Sequence, residues 1–176
     1  MSNLLPTRKE ALQLLRKNHC SKNVIAHCKA VAKIARETAD ICKKKGLKVN
    51  VDLVEIGALL HDIGRSKTHS VHHVVAGVEI AKKAGLSEPI ISIIKCHVGG
   101  GITAAEAAEL GWPVGNYFPT TLEEKIVSYA DKLVETSERI PIEATIKRLR
   151  AEKLDVAAAR VQLIHDEVAK LISEDT

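Results

Sequence analysis

The chain has 176 residues, 45% of them hydrophobic and 27% charged, with 26 Lys and Arg against 22 Asp and Glu for a net charge of +4. That length suits one domain, residues 1–176, burying roughly 70% of the surface its unfolded form exposes. The composition excludes a disordered chain, and no apolar run approaches the roughly 20 residues that a bilayer requires. The surplus of positive charge is small and interspersed with acids, which argues against nucleic acid as the partner. Pro6, Arg8, Lys9 and Glu10 break any leader pattern in Met1 to Leu15. Cys20, Cys28, Cys42 and Cys96 form no CxxC pair, so reduced core thiols in a cytoplasmic protein are expected.

Thr7 with Glu10 forms a capping-box pair opening a helix to about Asn18, and Ser21 opens a longer one closed by Gly46. Val24, Cys28, Val31, Ala35, Thr38 and Cys42 recur along the longer helix at spacings of three and four, which predicts one inward face. Asp52 and Glu55 read as the cap of a third helix, broken at Gly64, with Leu53, Ile56, Gly57 and Leu60 inward. Further helices are expected from Val71 to Ala84 and from Ser87 to His97, followed by three glycines. Thr103 with Glu106 caps a short helix stopped at Gly111, and Trp112 to Thr120 is a Pro- and Gly-bearing loop. Thr121 with Glu124 caps the helix that carries Asp131. Pro141 and Asp155 begin two closing helices, the last with Val156, Ala159, Leu163, Val168 and Leu171 as its apolar positions. No alternating strand pattern appears, so the expected class is all-α: a compact bundle of about eight or nine helices with an aliphatic core.

Five of the eight histidines, His61, His69, His72, His73 and His97, lie in one central stretch beside Asp62. A lone buried His is more often a hydrogen-bonded core residue than a ligand. Adjacent side chains on a helix diverge by about 100°, so His61 and Asp62 can reach one ion only where the helix ends, and Gly64 supplies that ending. GALLHDIGRSK, from Gly57 to Lys67, resembles the HD-domain phosphohydrolases, in particular their HDIG subgroup. The resemblance runs from residue 21 to about 137. It implies an HD-domain helical bundle in which His27 of VIAHCKAVA, His61, Asp62 and Asp131 of IVSYADKL bind a divalent transition metal. Mixed nitrogen and oxygen donors suit Mn, Fe, Co, Ni or Zn better than an all-oxygen calcium site. Such an ion acidifies water and polarises a phosphoryl oxygen.

The implied reaction is hydrolysis of a small phosphate ester, nucleotide-like or a dinucleoside polyphosphate, with Asp62 both ligating and orienting water. His73 and His97 resemble the extra histidines of two-metal members, with Asp62 bridging; Cys96-His97 stands where such members often carry a His pair, and His72 is a poorly placed substitute. Arg65 and Lys132 are the candidate phosphate contacts, against a solvated-charge reading. Gly99, Gly100 and Gly101 either offer amides to an anion or form a turn. CHVGGGITAAE lacks the GYP that marks enzymes opening cyclic dinucleotides, which argues against that substrate. The alternative is a non-catalytic, metal-stabilised regulatory module, associated with RNA through Lys147, Arg148, Arg150, Lys153 and Arg160. His165-Asp166 lies mid-helix and is expected to face solvent or a partner; Cys28 and Cys96 read as core, and His19 as a favourable charge at a helix C-terminus.

Overall fold

Each helix starts where a side chain can satisfy its first unpaired amides. In the computed structural model, which describes residues 5–173, Thr7 and Glu10 exchange hydrogen bonds to open α1 (Arg8–Lys17), and Ser21 Oγ accepts from Val24 N–H to open α2 (Lys22–Lys44). Residues 1–4 of the stretch read for a leader lie outside the described residues. The six positions expected to face inward on α2 are all buried. The cap of α3 (Val51–Leu60) differs from expectation. Asn50, not Asp52, accepts the amide of Leu53, leaving Asp52 in the first turn beside the positive helix end.

The chain continues through a 3-10 turn (Ile63–Ser66), α4 (His73–Lys83), α5 (Glu88–Cys96) and a second 3-10 turn (Val98–Gly100). Then follow α6 (Ala104–Glu109) and α7 (Leu122–Asp131), each opened by the capping box expected from Thr103 and Thr121. A two-stranded antiparallel hairpin, β1 (Val134–Glu135) and β2 (Glu138–Arg139), precedes α8 (Ile142–Ala151) and α9 (Asp155–Ile172). The hairpin was not expected; two-residue strands are too short to show an alternating pattern. The fold is all-α apart from it, and none of the described helices is long and apolar enough to cross a membrane.

One hydrophobic core takes residues from every described α-helix except α6, and α2 packs against both α3 and α7 at its centre. A smaller cluster of Val74, Ala107, Trp112 and Tyr117 gives the Trp112–Thr120 loop its own anchor. On α9 the inward stripe is Ala158, Val161, Ile164 and Val168, while Val156 and Leu163 stand exposed. Of the expected apolar positions, Val168 is buried and Leu171 packs against the core, while Val156, Ala159 and Leu163 fall on the outer face, because apolar residues occur on both sides of the helix.

Two glycine contacts fix the part of the bundle that matters below. A Cβ on Gly64 would lie 1.9 Å from the His73 carbonyl oxygen, so only glycine lets the first 3-10 turn meet α4 backbone to backbone. A Cβ on Gly100 would lie 2.8 Å from Arg160 Cβ, so the second 3-10 turn lies directly against α9. Gly100 is therefore a packing position, and Gly101 is likewise closed in by the Phe118 ring.

Candidate metal centre

The helix carrying the His-Asp doublet ends at Leu60, four residues before Gly64. His61 is its C-cap, and Asp62 leaves the helical range at φ −103°, ψ 17°. That departure cancels the divergence that neighbouring helical side chains would have, and both residues turn inward: His61 is 1% exposed and Asp62 5%. α2 contributes His27, α7 ends on Asp131, α4 begins on His73, and His97 caps α5. Residues scattered over more than a hundred positions thus meet, all but His27 at helix ends, where the side chains are free to converge.

The four imidazoles are set in the same way. His61 Nδ1 donates to Ala58 O, His73 Nδ1 to Ser70 O and His97 Nδ1 to Ile94 O, each at 2.7 Å; His27 Nδ1 donates to Thr136 O in the hairpin at 2.8 Å. A backbone carbonyl accepts only from N–H, so every Nδ1 carries a proton and every Nε2 is the ring atom turned to the centre, the arrangement found around metal-ligating histidines. Their Nε2 atoms surround the carboxylates in two lobes. Asp131 Oδ1 lies 2.9 Å from His27 and 3.3 Å from His61, with Asp62 Oδ2 at 3.8 and 3.7 Å from the same pair. Asp62 Oδ1 instead faces His73 at 3.1 Å and His97 at 3.4 Å. His61 Nε2 and Asp62 Oδ1 are buried without an aligned hydrogen-bond partner. Such orphaned atoms are costly unless something electrophilic completes them. His27, His61 and Asp131, and again His61, Asp62 and His97, are close enough to share an ion.

Charge in the centre follows from these contacts. Burial opposes ionisation of Asp62, but His61, His73 and His97 outweigh it and hold the carboxyl well below its usual range. Burial likewise opposes charge on Asp131, where Lys132 and then His27 and His61 keep it ionised. His97 is pushed down to about 4, chiefly by burial, and stays neutral, as a ligand must be. His61 goes the other way: burial disfavours its charge, and the two carboxylates more than compensate.

Of the two candidate phosphate contacts, Arg65 Nε donates to Asp62 Oδ2 at 3.2 Å and a terminal nitrogen donates to His69 O at 2.8 Å. Lys132 is ion-paired with Asp131 and reaches His97 O at 3.4 Å. Both line an open cavity of about 1050 Å³ that includes His27, Asp62 and Asp131.

Other polar residues fall outside the centre. His72 Nδ1 accepts from Trp112 Nε1 at 2.9 Å and serves the loop anchor. His165 is half-buried on Tyr129 Oη at 3.0 Å and so turns toward the bundle, whereas Asp166 is exposed as expected. Cys28 and Cys96 are buried, and burial raises the thiol of Cys28 well above its ordinary value and that of Cys96 to about 12. His19 takes a left-handed conformation, φ 62°, just past the end of α1. The carbonyl of Thr136 is the functional group the sequence did not suggest, because a backbone acceptor in a short turn carries no side-chain signature.

The chain is 46% identical over 165 residues to an uncharacterized protein of Methanocaldococcus jannaschii, covering 93% of this chain and 97% of that one. It is 37% identical to a protein named tRNA (cytidine(56)-2'-O)-methyltransferase from Picrophilus torridus, across 97% of this chain but 49% of the relative. It is 30% identical to a ribonuclease Y of Fervidobacterium nodosum, across 87% of this chain and 32% of the relative. The chain therefore spans about half of the first of these two longer relatives and about a third of the second. Among solved structures, the HD domain of the L. monocytogenes phosphodiesterase PgpH in complex with cyclic-di-AMP shares the fold, with a TM-score of 0.56 at 20% identity over 95% of this chain and 99% of that one. The model of the HD domain matches residues 24–136, a segment that holds all six residues of the centre and stops before α8. The chain belongs to the HD-domain family.

Proposed function

We propose that this protein is a metal-dependent hydrolase of phosphate esters. The observation that carries this reading is the division of Asp62, one oxygen turned to His27 and His61 and the other to His73 and His97. His27, His61, Asp62 and Asp131 would hold one divalent transition ion, and His73 and His97 with Asp62 a second. When bound, such ions supply Lewis acidity to a phosphoryl oxygen and lower the pKa of water. The protein's own contribution is orientation. Four backbone carbonyls lock the imidazoles, Arg65 steadies Asp62, and Lys132 steadies Asp131. Arg65 and Lys132 sit on the cavity wall, where a phosphate entering over the carboxylates meets both cations. Asp62 would also orient the attacking water.

The test is a screen of phosphomonoesters, nucleotides and dinucleoside polyphosphates with Mn, Co, Ni, Zn and Fe. Activity in wild type that is lost in Asp62→Ala, with the helical circular dichroism kept, supports the reading; no hydrolysis by metal-loaded protein counts against it. A second reading is favoured by the relatives named for tRNA methylation and as ribonuclease Y: the phosphate ester would belong to an RNA strand. The mild net charge argues for a short RNA segment over a long one. A single-stranded RNA substrate in the same screen separates the two.

A further inference from the structure

Four of the eight histidines form the metal centre, and His72 and His165 are held by Trp112 and Tyr129. His19 follows α1 and does not line the cavity over the centre. His69 does. It is exposed, its ring makes no hydrogen bond or ion pair among the described residues, and it shares the cavity wall with Asp62, Arg65 and Asp131. The backbone that carries it is nonetheless tied to the centre at two successive carbonyls. Arg65 donates to Asp62 Oδ2 at 3.2 Å and to the His69 carbonyl at 2.8 Å, so one guanidinium separates His69 from the carboxylate that both lobes share. The next carbonyl, that of Ser70, accepts from His73 Nδ1 at 2.7 Å, and Thr68 Oγ1 closes the intervening turn by accepting the Ser70 amide at 3.2 Å. An unengaged imidazole is thereby held on a fixed main chain at the mouth of the site.

Hydrolysis of an alkyl phosphate needs a proton on the departing oxygen as well as an activated water, because an alkoxide leaves poorly. The other titratable groups on the cavity wall are committed elsewhere. Asp62 and Asp131 are held ionised, and Lys132 is paired with Asp131. Arg65 and Arg148 do not release protons, and the Nδ1 proton of His27 is taken by Thr136 O. His69 alone joins a free ring to a side chain type that exchanges protons near neutrality. We propose that His69 is the general acid of the reaction, placing a proton on the oxygen that leaves phosphorus. This rests on the phosphate-ester reading above and adds a catalytic residue outside the ligand set. Water forms the new P–O bond and releases one proton to solvent. The old P–O bond breaks with its electron pair going to the leaving oxygen, which takes the proton of the His69 imidazolium. Solvent then reprotonates the ring, as its exposure permits.

The test compares manganese-loaded wild type and His69→Ala on three esters: adenosine 5'-monophosphate, its analogue with sulfur in place of the bridging 5'-oxygen, and p-nitrophenyl phosphate. The first must expel an alkoxide, whereas a thiolate and p-nitrophenolate leave without a proton. His69→Ala should lower kcat on the nucleotide about 100-fold or more, the scale of general acid catalysis, and leave the other two nearly unchanged at wild-type metal content. The substitution keeps the His69 carbonyl, so the Arg65 contact survives it. In zinc-loaded wild type, inorganic phosphate should shift the His69 ring signals in NMR spectra. An equal loss on all three esters, a loss on none, or an unmoved His69 signal overturns the assignment and leaves the reaction standing. A wild type that hydrolyses none of the three sinks the reaction and the assignment that rests on it.

Discussion

Replacing Gly64 by alanine tests whether the tight turn after Asp62 sets the second half of the centre. The new Cβ would lie 1.9 Å from His73 O and 2.5 Å from Gly77 N, both backbone atoms that no rotamer change can move. Restoring an ordinary C···O contact of about 3.3–3.6 Å requires the turn and α4 to separate by roughly 1.4–1.7 Å. His73 is the first residue of α4 and lies 3.1 Å from Asp62 Oδ1, so such a shift removes it from shared ligation, which tolerates only about ±0.2 Å. Overpacking of this kind costs about 1–3 kcal/mol, or a fall in Tm of roughly 2–12 °C for a chain of this size. Calorimetric metal titration and thermal denaturation read both effects: Gly64→Ala should lose the weaker metal-binding event and melt lower. Gly85→Ala is the control, since its Cβ would meet nothing within 4 Å and only its φ of +69° adds strain. Wild-type melting and full metal stoichiometry in Gly64→Ala would refute the reasoning, as would equal metal loss in the control.

His165→Ala should cost about 1 kcal/mol or less through the lost Tyr129 hydrogen bond and leave hydrolysis unchanged, as stability and kinetic assays would show; a large loss of activity would place the wrong His-Asp doublet at the centre. In chelator, stability should rise with pH between about 4 and 6.5. Buried neutral His97, held near 4, binds its proton later than the same residue in the unfolded chain, whose pKa is about 6.5, so the unfolded state carries more protons across that window. The difference corresponds to about 3 kcal/mol, which urea midpoints of wild type and His97→Gln should show as a steeper pH slope in wild type. Asp62 and Asp131, both depressed, add stability that is present above about pH 4 and disappears as pH falls through their folded values.

Local signals marked what local chemistry decides. Thr7, Ser21, Thr103 and Thr121 cap the helices expected of them because a cap is a matter of three or four adjacent residues. The HDIG resemblance pointed to His27, His61, Asp62 and Asp131 together, and the fold brings them within contact along with His73 and His97. What stayed hidden depends on distant chain segments. The Asn50 N–H is held by Glu123 Oε1 of α7 while the Asn50 side chain, not that of Asp52, caps α3, and the hairpin that lends Thr136 O to His27 has strands of only two residues. The outward turn of Val156 and Leu163 follows from how α9 docks on the glycine turn. The role of Gly64 is likewise tertiary: the sequence offered it as a helix breaker, whereas its missing side chain is what lets α4 bring His73 to Asp62.

The central claim is that six side chains form a two-lobed metal centre. Protein purified without chelator, saturated with Mn, Co or Zn and freed of excess ion, can be measured by elemental analysis against a protein standard. The account predicts two ions per chain for wild type, one for the His73→Ala His97→Ala double variant, and a severe loss for Asp62→Ala, whose carboxylate serves both lobes. A correctly folded wild-type chain that carries no transition metal and takes up none on addition would contradict it.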